Sequence, residues 1–327
     1  MKFSKSVKLV IALSVLIIAL AVLFYIEQWA VLKARANSTR IDIATVNADG
    51  PGYTFADNIV TIIGNGYYTI TGTTNMKGVV VQSGLADVNI TLSGVDINLS
   101  ESDGCAFSIM AAKVNLTLVG ENRLISGYHA GLLVPPGATL VITENSKGFL
   151  TAVGGYGAGI GGGDDTGDAW GLDGGNITIM GGTVRAIGGE GRAGIGGDTG
   201  GTGGRGGAGG NITIGGNADV TAIGGSSTNS DGGAGIGGGA PGGASGNITI
   251  TGNAAVTALG GSGGTLLRGG GAGVGSGGGG STAGAFENVI INNAGRRDFK
   301  GGAGGNERNG ANVGTGGSYT GPGEQMI

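Results

Sequence analysis

The residues best suited to chemistry lie between positions 163 and 210. Asp164, Asp165, Asp168 and Asp173 place four carboxylates within ten residues, and calcium takes about six to eight hard oxygen ligands. Trp170 sits among them, a flat amphipathic surface on which a sugar ring can pack. Arg205, on the next glycine-rich stretch, can pair with an acid of the first. The spacing is neither that of an EF-hand loop nor the glycine–aspartate repeat of calcium β-rolls. The expectation is therefore a loop site of its own design. Asp164, Asp165 and Asp168 are the candidates for calcium, and Trp170, Asp168, Asp173 and Arg205 for a carbohydrate. The competing expectation is a solvated loop whose acids keep a glycine-rich edge soluble.

Other chemistry finds fewer supports. The chain has one histidine, His129, and one cysteine, Cys105, so a Ser-His-Asp or Cys-His triad lacks convincing members. One cysteine also excludes an intrachain disulfide and a thiolate zinc site. A polysaccharide-lyase-like reaction would need carboxylate-bound calcium and a basic residue, for which the repeat offers Arg185 on an outward position. The glycine phrases are not followed by Gly-Lys-Ser/Thr, which excludes a phosphate loop. The chain is expected not to be an enzyme.

A repeated phrase must position these residues. GAGIGGG begins at Gly157, and its core returns at Ala193 and Ala234. Asn-Ile-Thr-Ile begins at Asn176, Asn211 and Asn247, with a looser copy at Asn288. These starts are 35, 36 and 41 residues apart, a period that marks a stacked architecture. Alternation puts Ile177, Ile212 and Ile248 on one inward row, Ile179, Ile214 and Ile250 on the next, then Val184, Val220 and Val256, and Ala186, Ala222 and Ala258. Thr178, Thr213 and Thr249 fall outward. The asparagines recur with the repeat and are expected to stack as hydrogen-bonded amides. Residues 163–175 and 198–210 leave the same corner of neighbouring turns and should form one shelf.

Shorter versions of the phrase occupy residues 78–155, with Ile90, Leu116 and Leu140 equivalent. Twenty-odd residues suit one turn of three short strands, lengthened later by glycine loops at the corners, where insertions cost little. The expected fold is all-β: a right-handed, single-stranded parallel β-helix of about eight coils. Residues 41–75 are expected to cap it, 76–295 to form the coils, and 296–327 to make a glycine-rich disordered tail.

Composition sets the surroundings. Of 327 residues 80 are glycine, but without a three-residue period, so collagen is excluded. Lys2, Lys5 and Lys8 precede an uncharged run from residue 9 to 26, the pattern of a signal peptide or signal anchor. Residues 1–40 hold six of the 18 basic and one of the 22 acidic groups. The remainder therefore carries 12 basic and 21 acidic residues, a net charge of −9, which argues against a nucleic-acid partner. The expected location is extracellular or at the cell surface, with membrane attachment through the N-terminal segment if it is not cleaved.

Several phrases carry a resemblance. Tyr67-Tyr-Thr-Ile-Thr-Gly72, Val95-Asp-Ile97, Gly120-Glu-Asn-Arg-Leu124, Val134-Pro-Pro-Gly-Ala138 and the NITI…GG…GAGIGGG series resemble those of exported bacterial carbohydrate-binding β-helix proteins. That family includes acidic-polysaccharide binders of cellulolytic clostridia, and the resemblance spans roughly residues 50–295. It implies export, the β-helix fold and a polysaccharide ligand, with acidic sugars favoured. Calcium-using members are expected to have Asp-Gly-Ile where this chain has Ala158-Gly-Ile, Ala193-Gly-Ile and Ala234-Gly-Ile, so the resemblance does not transfer a calcium ladder. The alternative function is a structural adhesin or spacer without a sugar site.

Overall fold

The computed structural model describes residues 13–22, 38–163, 170–201, 204–265, 267–279, 284–318 and 322–325. The chain divides into two units, Met1–Thr39 and Arg40–Ile327. In the first, residues 13–22 are helical. The other residues of the apolar run, and the lysines before it, lie outside the described ones. Among the described residues no helix is long and apolar enough to cross a membrane.

The regular secondary structure of the second unit is nearly all β, in a 15-stranded and a 10-stranded sheet joined by long loops. Strands recur in three parallel lanes. Lane one pairs Lys113–Val119, Thr139–Ile142, Asn176–Ile179, Asn211–Ile214, Asn247–Gly252 and Val289–Asn293 in succession. Lane two pairs Glu121–Ser126, Phe149–Val153, Thr183–Ile187, Asp219–Ile223, Ala255–Leu259 and Arg297–Lys300. The long strands Gly66–Thr74 and Val88–Leu99 pass through both lanes, which joins them into one sheet. Lane three runs from Ile59–Ile62 to Val313–Gly314. Each repeat unit visits lane three, lane one and lane two in that order. Stacking is thus built from pairs of strands remote in sequence, at a spacing of about 4.8 Å.

Side-chain alternation explains lanes one and two. The paired residues include Ile177↔Ile212 and Ile212↔Ile248, and Val184↔Val220 and Val220↔Val256. Those isoleucines and valines are buried, as are Ala186, Ala222 and Ala258, and side chains from all three lanes join one hydrophobic cluster. Burial of each such aliphatic side chain is worth about 1.5–3 kcal/mol. On the outer side, Asn211 donates an amide hydrogen to Asn176 Oδ1 at 2.7 Å, Asn247 to Asn211 at 2.7 Å, and Asn288 to Asn247 at 3.1 Å. The asparagines therefore stack as the sequence suggests.

Lane three obeys a different rule. Its later strands shrink to an aliphatic residue and a glycine, Ile160–Gly161, Ile195–Gly196, Ile236–Gly237 and Val274–Gly275. The glycines have φ of 132–145°, where a β-carbon is strained. The glycine before each aliphatic lies against the backbone at the end of lane two. A β-carbon on Gly194 would lie 2.5 Å from the Ile223 nitrogen, and one on Gly235 2.6 Å from that of Leu259. Glycine here lets two backbones meet with no side chain between them.

The ends differ from expectation. Ile59–Ile62 already pairs parallel with Gly78–Val81, and Gly66–Thr74 with Val88–Leu99, so the lanes begin inside the stretch expected to be a cap. Before them come Thr39–Asp42, paired with Gly66–Thr74, and Tyr53–Ala56, which forms an antiparallel hairpin with Ile59–Ile62; its turn residues Asp57 and Asn58 have φ of 51° and 60°, the left-handed geometry of a tight hairpin. The tail expected to be disordered from residue 296 instead continues the lanes. Arg297–Lys300 pairs with Ala255–Leu259, and Val313–Gly314 with Val274–Gly275. Pairing of this kind uses main-chain groups and needs no aliphatic signature, and Phe299 supplies the apolar contact opposite Ala258.

Gly225 tests the close-packing rule without backbone strain, because a β-carbon there would run into the Gly189 carbonyl. Gly225→Ala should lower stability by about 1–3 kcal/mol. At Gly84 the surroundings are open and only the positive φ is penalised, so Gly84→Ala should cost about 1–2 kcal/mol. Urea unfolding followed by circular dichroism checks both, and a neutral Gly225→Ala would contradict the packing account.

Candidate functional site

The loops from lane three to lane one leave one corner in successive units, because each short Ile-Gly strand runs straight into a glycine series. Main-chain bonds bind these loops into a shelf. The Gly171 N–H donates to Arg205 O at 2.9 Å, Gly174 N–H to Ala208 O at 2.9 Å, and Asp198 N–H to Leu172 O at 2.9 Å. The next loop joins in the same way, with Gly206 N–H on Pro241 O at 2.9 Å and Gly209 N–H on Ala244 O at 3.0 Å. Such a platform is rigid although it is mostly glycine, since the backbone groups of each loop are tied to the next.

Trp170, Asp173 and Arg205 lie on the loops of this shelf, linked through the Gly171 N–H bond to Arg205 O and the Asp173 bond to Ala208 N–H. Trp170 is 69% exposed, leaving its indole open to a ligand. Asp173 has a tying role, for its Oδ1 accepts the Ala208 N–H at 2.6 Å. Arg205 Nε donates to Gly242 O at 3.0 Å, on the following loop. A carbonyl of a glycine-rich turn is a ready acceptor for a planar guanidinium. Asp164, Asp165 and Asp168 lie outside the described residues. Among the described residues no three His, Cys, Asp or Glu side chains gather closely enough to hold a metal ion.

One shelf loop is tied through Asp198 to a chain of neighbouring contacts. Arg192 Nε donates to Asp198 Oδ1 at 3.1 Å, and its guanidinium lies 5.2 Å from the Tyr156 ring centroid, a cation–π contact. Tyr156 in turn stacks on Tyr128 with centroids 5.0 Å apart. His129 Nε2 lies 2.9 Å from Asp103 O, the position of a turn-bound histidine.

Lane two carries a second set of polar residues that the sequence reasoning missed. Register places Asp96 opposite Arg123 and Arg123 opposite Thr151, with Glu121 opposite Phe149 in the adjacent outward row. They line a groove of about 500 Å³ together with Val95 and Asn122. Arg185 extends the same row beyond Thr151, so it is not the first arginine on that face. The available signal was Gly120-Glu-Asn-Arg-Leu124 itself, two charges at alternate positions of one strand; Phe149 becomes their neighbour only through the 28-residue pairing.

A buried acid lies at a third place, the corner from lane two to lane three. Asp231 is fully buried. Its Oδ1 accepts the Gly269 N–H at 2.7 Å, and Arg268 Nη1 lies 3.5 Å from Oδ2. Burial raises the Asp231 pKa above the ordinary carboxylate range, and the Gly269 bond and the Arg268 charge offset this only in part. The folded state therefore takes up a proton before the unfolded state does as pH falls. Protonation of this residue favours folding, and the benefit is lost as pH rises from the ordinary carboxylate value through the raised one. Asp231→Asn, which cannot ionise, should gain stability relative to the parent as pH rises through that window. Melting temperatures of the two proteins from pH 4 to 8 check this; a constant difference would contradict it.

With this geometry in hand, the chain matches no protein-family model, no curated protein and no solved structure.

Proposed function

We propose that this chain is a non-catalytic carbohydrate-binding protein acting outside the cell or at its surface. In this reading the three lanes close as a right-handed parallel β-helix of about eight coils, and the corner shelf holds an extracellular polysaccharide. The observation that carries it is Trp170, 69% exposed on a platform whose loops are bonded to one another. A large aromatic surface held open on a rigid support has little use in stability and suits the apolar face of a pyranose ring. Arg205 beside it supplies a donor for sugar hydroxyls or carboxylates. Acidic sugars are favoured, with Asp164, Asp165 and Asp168 as ligands for a calcium ion bridging chain and uronate. Export follows from the basic residues and apolar run at the N-terminus, which would also serve as the membrane attachment if retained.

The second reading, a structural adhesin or spacer, is favoured by the continuous Asn176–Asn211–Asn247–Asn288 row, which serves stacking alone. Calorimetry with polygalacturonate and with neutral glucans, first with calcium and then with a chelator, separates the two. A shelf binder should show saturable heat with polygalacturonate that Trp170→Ala weakens about tenfold, and loss of uronate binding in chelator would assign the calcium role. A folded protein giving no heat with any glycan would leave the spacer. New ultraviolet absorbance from unsaturated products would contradict the non-catalytic reading.

A further inference from the structure

The lane-two groove lies apart from the shelf, and its construction indicates a ligand of a different charge. Its floor is held by Asn122, whose side chain is buried. Asn122 Oδ1 accepts the Val95 N–H at 3.0 Å, while Nδ2 donates to Val119 O at 3.2 Å and to Phe149 O at 3.0 Å. One amide thus fixes the backbones of three successive repeat units beneath the groove. A preorganised floor limits the ordering cost that binding would otherwise carry.

The walls are polar and aromatic. Phe149 is 52% exposed, although Thr183, Asp219 and Ala255 show that its row accepts small or polar residues. Asp96 and Arg123 face each other at 3.8 Å, beyond hydrogen-bond length, and both are about half exposed. Asp96 Oδ1 is covered, with the Arg123 guanidinium as its neighbour, so Asp96 offers the groove its other oxygen. Glu121 adds a second carboxylate beside the ring.

We propose that this groove binds a neutral hexopyranose unit of a glycan running along lane two. The sugar's C–H face would lie on Phe149. Its hydroxyls would donate to Asp96 and Glu121 and accept from Arg123, matching the donor and acceptor inventory on both sides. Two carboxylates against one guanidinium leave the groove with an excess negative charge. This disfavours a uronate and separates the site from the shelf, whose proposed ligand is acidic. The groove does not depend on Trp170.

The test is calorimetric titration of the full chain with cellohexaose and, separately, with a galacturonate hexamer in chelator. Cellohexaose should bind, Phe149→Thr and Glu121→Gln should each weaken it about tenfold, and Trp170→Ala should leave it unchanged. Phe149→Thr places in the strand the residue found at the next rung, Thr183, so it preserves pairing, and its circular dichroism spectrum should match the parent's. No binding of cellohexaose to the folded parent, equal affinity in Phe149→Thr, or preference for the galacturonate hexamer would each overturn the proposal. Loss of cellohexaose binding in Trp170→Ala would also overturn it, by moving the neutral site to the shelf.

Discussion

The structure depends on one close approach: the backbone of lane three against the end of lane two, with glycine at the meeting point. Gly159, Gly194, Gly235 and Gly273 each face a main-chain nitrogen of Ile187, Ile223, Leu259 or Lys300. Because nothing larger than hydrogen fits there, the start of lane three is held against the end of lane two. The buried cluster between the lanes then takes only a few aliphatic residues per unit, chiefly from lanes one and two. The chain can therefore devote its remaining length to glycine-rich corner loops, and those loops form the shelf. A composition that elsewhere signals disorder here results from main chains packing on main chains.

Much of this was legible in the sequence, for a physical reason. Where the repeat is strong, each residue has an equivalent in the next unit, and side-chain period and unit period jointly specify the register. The rows of Ile177, Val184 and Asn176 could be read from spacing alone, and the pairing has those residues opposite their equivalents. The shelf was legible for the same reason, since loops of similar length leave equivalent points. The last strand of lane two was not legible. Arg297–Lys300 pairs through its backbone, and Arg297 has no aliphatic side chain to mark the position opposite Val256.

The lane-two groove was hidden by a different limit. Asp96, Arg123, Glu121 and Phe149 lie in early units, where each position changes its residue type from one turn to the next. Their meaning arises only when strands 27 or 28 residues apart are laid side by side. Arg205 shows another limit: its loop could be placed from the repeat, but the contact of its Nε with a backbone carbonyl, Gly242 O, could not. Carbonyl acceptors leave no trace in residue types.

The asparagine row has a directional property beyond holding turns together. Every amide along it donates toward the preceding unit, from Asn288 to Asn247 to Asn211 to Asn176. The side-chain dipoles therefore align head to tail, whereas the strands of a sheet contribute little net dipole. Aligned dipoles polarise one another, so each bond is strengthened by those before it. An interruption in mid-row would do more than delete one contact: it would divide one polarised wire into two shorter ones, each weaker per link than the whole.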